Sequence, residues 1–136
     1  MLTKQQTYIL EAAVNIIIPF DGGANGWQSG VGDYLSRQFE HDLRPLLPIY
    51  QQGLDALDNE AVVVMSSGFA DLDAEKQELL LRDIEAGRVQ TTWPVEPATF
   101  FKMFVEHCAE GYYSDPGNGG NRDGVAWKLI GFEVTG

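Results

Sequence analysis

Hydrophobic positions in "LTKQQTYILEAAVNIIIP" recur at helical spacing: Ile9, Leu10, Ala12, Ala13, Ile16 and Ile17 share one arc, opposite Lys4, Thr7, Glu11 and Asn15. Thr3 with Gln6 three residues on spells a capping box, and Pro19 closes the helix. The following "FDGGANGWQSG" reads as a loop, broken by Gly22, Gly23, Gly26 and Gly30. "VGDYLSRQFEHDL" predicts a second helix with Val31, Tyr34, Leu35 and Phe39 on one side. Pro45 suits the first position of a third, long helix, striped by Leu46, Tyr50, Leu54, Leu57 and Ala61, with Gly53 where a neighbouring helix can come close. The apolar run Val62 to Met65 has strand character but keeps that helix's register. Asp73 caps a fourth helix that Gly87 terminates. Pro97 opens a fifth, whose Phe100, Phe101, Phe104, Val105 and Cys108 make a wide apolar face. Burying each large side chain of such a face contributes about 1.5–3 kcal/mol before entropy is counted. The pattern predicts an all-α fold: a compact bundle of about five helices in a single domain over residues 1–136, ending in an irregular, Gly-rich C-terminal loop and tail.

Charge narrows the partners. Nine Lys plus Arg against twenty Asp plus Glu give a formal net charge of −11, which repels phosphate backbones and anionic lipid, so neither nucleic acid nor a membrane surface is expected. Apolar runs stay well short of the roughly 20 residues a membrane helix needs. The opening "MLTKQQTYIL" has no arginine pair or basic stretch before an apolar segment. The expectation is a cytoplasmic chain, or a periplasmic one if a signal was removed or a partner carries it. Cys108 is the single cysteine, so no internal disulfide and no thiolate cluster can form, and any redox cofactor has to sit on another chain.

Candidate chemistry is sparse. His41 and His107 are the two histidines, and His107 beside Cys108 makes a poor dyad because helix neighbours point about 100° apart. The wheel places Cys108 in the core and His107 at its edge, with His41 solvated near a helix end. Glu106 and Glu110 share a polar face with Lys102. No metalloprotease, phosphate-loop, nucleophile-elbow or dinucleotide pattern occurs, so no catalytic, cofactor-binding or metal-binding set is expected. Asp115, Asn118, Asn121 and Asp123 offer oxygen ligands suited to calcium, but the bidentate glutamate of an EF-hand is missing and Arg122 sits among them.

The most distinctive string is "EGYYSDPGNGGNRDGVAWKLIGF", in which turn residues alternate with apolar anchors. Together with "LTKQQTYILEAAVNIIIPFD", "GVGDYL" and "YQQGLDALD", it resembles the gluconate 2-dehydrogenase subunit 3 family along nearly the whole chain. The matching features are the I-I-P-x-D ending of the first helix (Ile17, Ile18, Pro19, Asp21) and the D-P, G-G-N-R-D and W-K-x-I-G-F elements of the tail. Asn118, Ala126 and Glu133 depart from the aromatic, glycine and proline usual there. The resemblance implies a non-catalytic small subunit, without a cofactor of its own, that binds, stabilises and helps mature a large FAD-containing catalytic subunit. That partner would be a glucose–methanol–choline-type sugar or alcohol dehydrogenase, passing electrons to a cytochrome or another acceptor.

On that footing the partner-binding or loop-structuring residues are Asp115, Pro116, Gly119, Gly120, Asn121, Arg122, Asp123, Trp127, Lys128 and Phe132. Asp115 and Pro116 would turn the chain, and Arg122 between Asn121 and Asp123 would sit in a polar network. Trp127, Leu129, Ile130 and Phe132 would anchor the tail on the partner or on the chain's own helices; both arrangements fit the residues. Two further readings stay open. One is a free-standing enzyme using His41 or His107. The other is a carbohydrate-binding module stacking sugar on Trp27, Trp93 or Trp127.

Overall fold

The computed structural model describes residues 1–18 and 26–114. Five α-helices lie among them: α1 (Lys4–Ile17), α2 (Gly32–Phe39), α3 (Leu47–Met65), α4 (Ala74–Glu85) and α5 (Pro97–Ser114), with no strand among the described residues. The all-α expectation holds, and Val62 to Met65 are helical. The stop expected at Pro19, the loop glycines Gly22 and Gly23, and the tail lie outside the described residues.

Local chemistry explains three of the helix ends. The Thr3 hydroxyl accepts from the Gln6 N–H at 3.0 Å while Thr3 N–H donates to Gln6 Oε1 at 2.9 Å, so two orphan amides of α1 are satisfied reciprocally. Asp73 caps α4 by accepting from the Lys76 N–H at 2.9 Å. Gly87, at φ 78°, supplies the left-handed turn that stops it.

Two boundaries differ from expectation. α2 stops at Phe39, because the N–H groups of His41 and Leu43 both turn back to the Gln38 carbonyl. Pro45 starts only a short 3-10 turn, Arg44–Leu46, and α3 begins at Leu47 with Pro48 in its first turn. Leu46 is accordingly only partly buried.

The core draws on all five helices, from Ile9, Leu10, Val14 and Ile17 through Leu35, Tyr50 and Leu57 to Leu81, Ile84, Phe101 and Phe104. Val14 is fully buried although the wheel of α1 left it off the main arc. The Phe100 ring lies directly on Gly53, where an added Cβ would overlap its edge atoms. Tyr50 receives Phe39, Phe100 and Phe104 edge-on, at centroid separations of 4.9, 5.6 and 6.3 Å. Gly53 is thus the close-approach point of α3 and α5.

Candidate functional site

The tail residues expected to bind a partner or structure the loop, Asp115 to Phe132, lie outside the described residues. So do the oxygen ligands of the calcium alternative. The described bundle nevertheless shows how its chemistry-bearing side chains are used.

Glu60 points into the protein at 1% exposure, on the inward arc of α3 three residues after Leu57. Its carboxylate accepts from Gln90 N–H at 2.7 Å, Thr91 N–H at 3.1 Å, the Thr91 hydroxyl, and Trp93 Nε1–H at 3.3 Å. Burial pulls its pKa upward, but these donors outweigh burial and hold the carboxyl below the usual carboxylate range. The carboxylate therefore fixes the segment between α4 and α5 onto α3. Sequence reading missed it; the signal was its helical spacing from Gly53 and Leu57.

Tyr50 and His107 form a second polar contact, with the Tyr50 hydroxyl 2.6 Å from His107 Nδ1. Burial raises the Tyr50 pKa well above its ordinary value, so the phenol stays protonated. Burial lowers the His107 pKa, against the opposing pull of Glu110 and Glu106. Cys108 is fully buried, and burial raises its thiol pKa well above the ordinary value, so it behaves as the core residue expected. His41 is exposed beyond the end of α2. Glu110 accepts from the Tyr34 hydroxyl at 3.3 Å and so joins α5 to α2.

Among the described residues no three His, Cys, Asp or Glu side chains gather to hold a metal ion. No described helix is long and apolar enough to cross a membrane.

The tryptophans divide. Trp93 is engaged by Glu60 and by the Phe100 ring, 6.4 Å away, so it serves packing. The Trp27 ring lies against Gly32, and the Trp27 backbone N–H donates to Asn15 Oδ1 at 3.0 Å. One side of Trp27 lines a cleft of about 520 Å³ with Leu2, Leu10, Phe39, Glu40 and Arg44. Trp127 lies outside the described residues.

At the end of α3 the polarity of the surface reverses. Val62, Val63 and Val64 are 50%, 56% and 41% exposed; Val62 and Val63 continue the outer side that Gln52, Asp55 and Asn59 occupy, and Val64 lies on the arc of Leu57 and Glu60.

No curated protein and no solved structure matches the chain. The family model described as gluconate 2-dehydrogenase subunit 3 matches residues 4–135. Opening helix, bundle and tail all fall within that match, so the chain belongs to the gluconate 2-dehydrogenase subunit 3 family, a subunit of a dehydrogenase complex, and membership implies a partner chain.

Proposed function

We propose that this chain is an accessory subunit without catalysis of its own, which binds, stabilises and assists maturation of an FAD-dependent sugar or alcohol dehydrogenase subunit. The partner is a large flavoprotein of glucose–methanol–choline type. It holds the FAD, takes the hydride and passes electrons to a cytochrome or another acceptor. The compartment of the complex follows that of the flavoprotein.

The observation that carries this reading is the family match over residues 4–135. The use of the described side chains supports it: Glu60 clamps a loop, Tyr50 and His107 bond each other, and Cys108 is sealed in the core. These groups serve the subunit's own shape, which suits a chain whose task is to present a surface. Asp115, Pro116, Gly119, Gly120, Asn121, Arg122, Asp123, Trp127, Lys128 and Phe132 remain proposed as partner-binding or loop-structuring residues.

The test is co-purification of a tagged chain from its native host. The expected result is a yellow complex, near one flavin per tagged chain, that reduces dye with a sugar or alcohol. A colourless chain that brings down no flavoprotein would overturn the proposal. Tryptophan fluorescence titrated with sugars checks the binding-module alternative, whose remaining described platform is Trp27; saturable quenching by sugar on the isolated chain would favour that alternative.

A further inference from the structure

The geometry points to the last turn of α3, Val62 to Met65, and the Ser66 that follows it as the contact surface for the catalytic subunit, met by an apolar patch with a basic rim. This placement rests on the accessory-subunit reading above.

Three consecutive β-branched residues are an unfavourable choice for an exposed helix end. They lose side-chain freedom in a helix and gain nothing from water. Val62, Val63 and Val64 nonetheless face solvent at 50%, 56% and 41%. After Met65, Ser66 ends α3 at φ 62°, a left-handed conformation in which glycine is the usual residue. Two local rules are therefore broken within one turn, which is where a binding surface is expected to show.

The surrounding charge says what covers it. From Arg44 to Lys76 the chain has no other Lys or Arg, while Asp55, Asp58, Glu60, Asp71, Asp73 and Glu75 fall in that stretch. Glu60 is turned inward, but Asp58 and Asp71 meet beside Gly68: a Cβ there would lie 3.0 Å from Asp58 Oδ1 and 3.7 Å from Asp71 Oδ2. Exposed Asp55 extends this acidic border along the outer side of α3. An apolar patch bordered on its Val62 side by Asp55, Asp58 and Asp71 selects a partner that brings Lys or Arg along that border of its own apolar patch. A second copy of this chain would bring like charge against like, on molecules of net charge −11. The family supplies a different chain to fill the place.

Val63→Lys tests the assignment, because lysine is a better helix former than valine and its charge suits a helix C-terminus. It should leave folding intact while placing a cation in the apolar contact. The control is Leu79→Lys on α4, at a residue 53% exposed. Each tagged chain is purified from the native host, flavin is read by absorbance, and the captured chain is identified by mass spectrometry as a dehydrogenase catalytic subunit. The expected result is at least tenfold less flavoprotein with Val63→Lys, recovery near wild type with Leu79→Lys, and an unchanged thermal midpoint for isolated Val63→Lys. Wild-type recovery with Val63→Lys would overturn the assignment while leaving the accessory-subunit reading intact. So would a lower midpoint of isolated Val63→Lys, which would mean that the chain's own residues cover the face, or a wild-type dimer that Val63→Lys makes monomeric. A wild-type chain that captures no flavoprotein would overturn both readings together.

Discussion

Within five residues α3 does two opposite things: Glu60 takes a carboxylate into the protein, and Val62 to Val64 push three apolar side chains out of it. The first inversion is explained inside the chain. Three N–H groups and a hydroxyl from residues 90–93 satisfy the carboxylate, so a costly burial becomes a specific clamp. The second has no such answer among the described residues. A protein that resolves one violation of polarity so completely, and leaves its neighbour open one turn later, divides a helix between holding itself together and meeting another chain.

The contrast can be broken most sharply at its buried half. Glu60→Ala strands four donors and should lower unfolding free energy by about 3 kcal/mol, read by urea denaturation. Little change would mean that the clamp is ornamental. Gly53→Ala comes next. A helix-propensity gain of up to about 1 kcal/mol competes with overlap against the Phe100 ring, and overpacking wins, for a net loss of about 1–2 kcal/mol. Val63→Lys, in the exposed half, should change the stability of the isolated chain by less than about 0.5 kcal/mol.

The smallest effect is a pH dependence. Burial lowers the His107 pKa, so the unfolded chain binds this proton more readily than the folded one. Stability falls as pH drops below the ordinary histidine value of about 6.5 and levels off below the folded pKa. The Glu60 carboxyl, whose folded pKa is lowered, contributes stability above the ordinary carboxylate range that is lost as pH falls through that folded pKa. Thermal midpoints measured from pH 8 to 3 should thus decline in two steps. Replacing His107 with Gln should remove the upper step, and Glu60→Ala should shrink the lower, to which Glu96, also held below the usual carboxylate range by the Thr99 N–H, contributes; a variant profile parallel to wild type would contradict its assigned step.

What the sequence disclosed and what it withheld follow from the range of the forces involved. The capping box at Thr3, the Asp73 cap, the Gly87 stop and the Pro97 start are decided within a turn, so residue types at fixed offsets reveal them. Gly53 was readable because a glycine on an apolar stripe has few other uses. Glu60 and the Tyr50–His107 contact join residues thirty or more positions apart, and a helical wheel does not see across that distance. Val62 and Val63 continue the outer register of Gln52, Asp55 and Asn59, so periodicity already places them outward; the exposure of Val64, which falls on the arc of buried Leu57 and Glu60, is a tertiary fact absent from it. The start of α3 was misplaced because Pro45 and Pro48 both suit a first turn, and packing chose the later one. The family resemblance was legible in the tail, from Asp115 to Phe132, beyond the described residues. The family match nonetheless spans the described bundle as well as the tail, residues 4–135.

Amide hydrogen exchange on the tagged chain, alone and in complex with its flavoprotein, tests the central claim most directly. The account predicts slower exchange over residues 62–68 in the complex, with residues 90–93 exchanging alike in both states because Glu60 already holds them. Unchanged exchange over 62–68, with protection confined to other parts of the bundle, would contradict it.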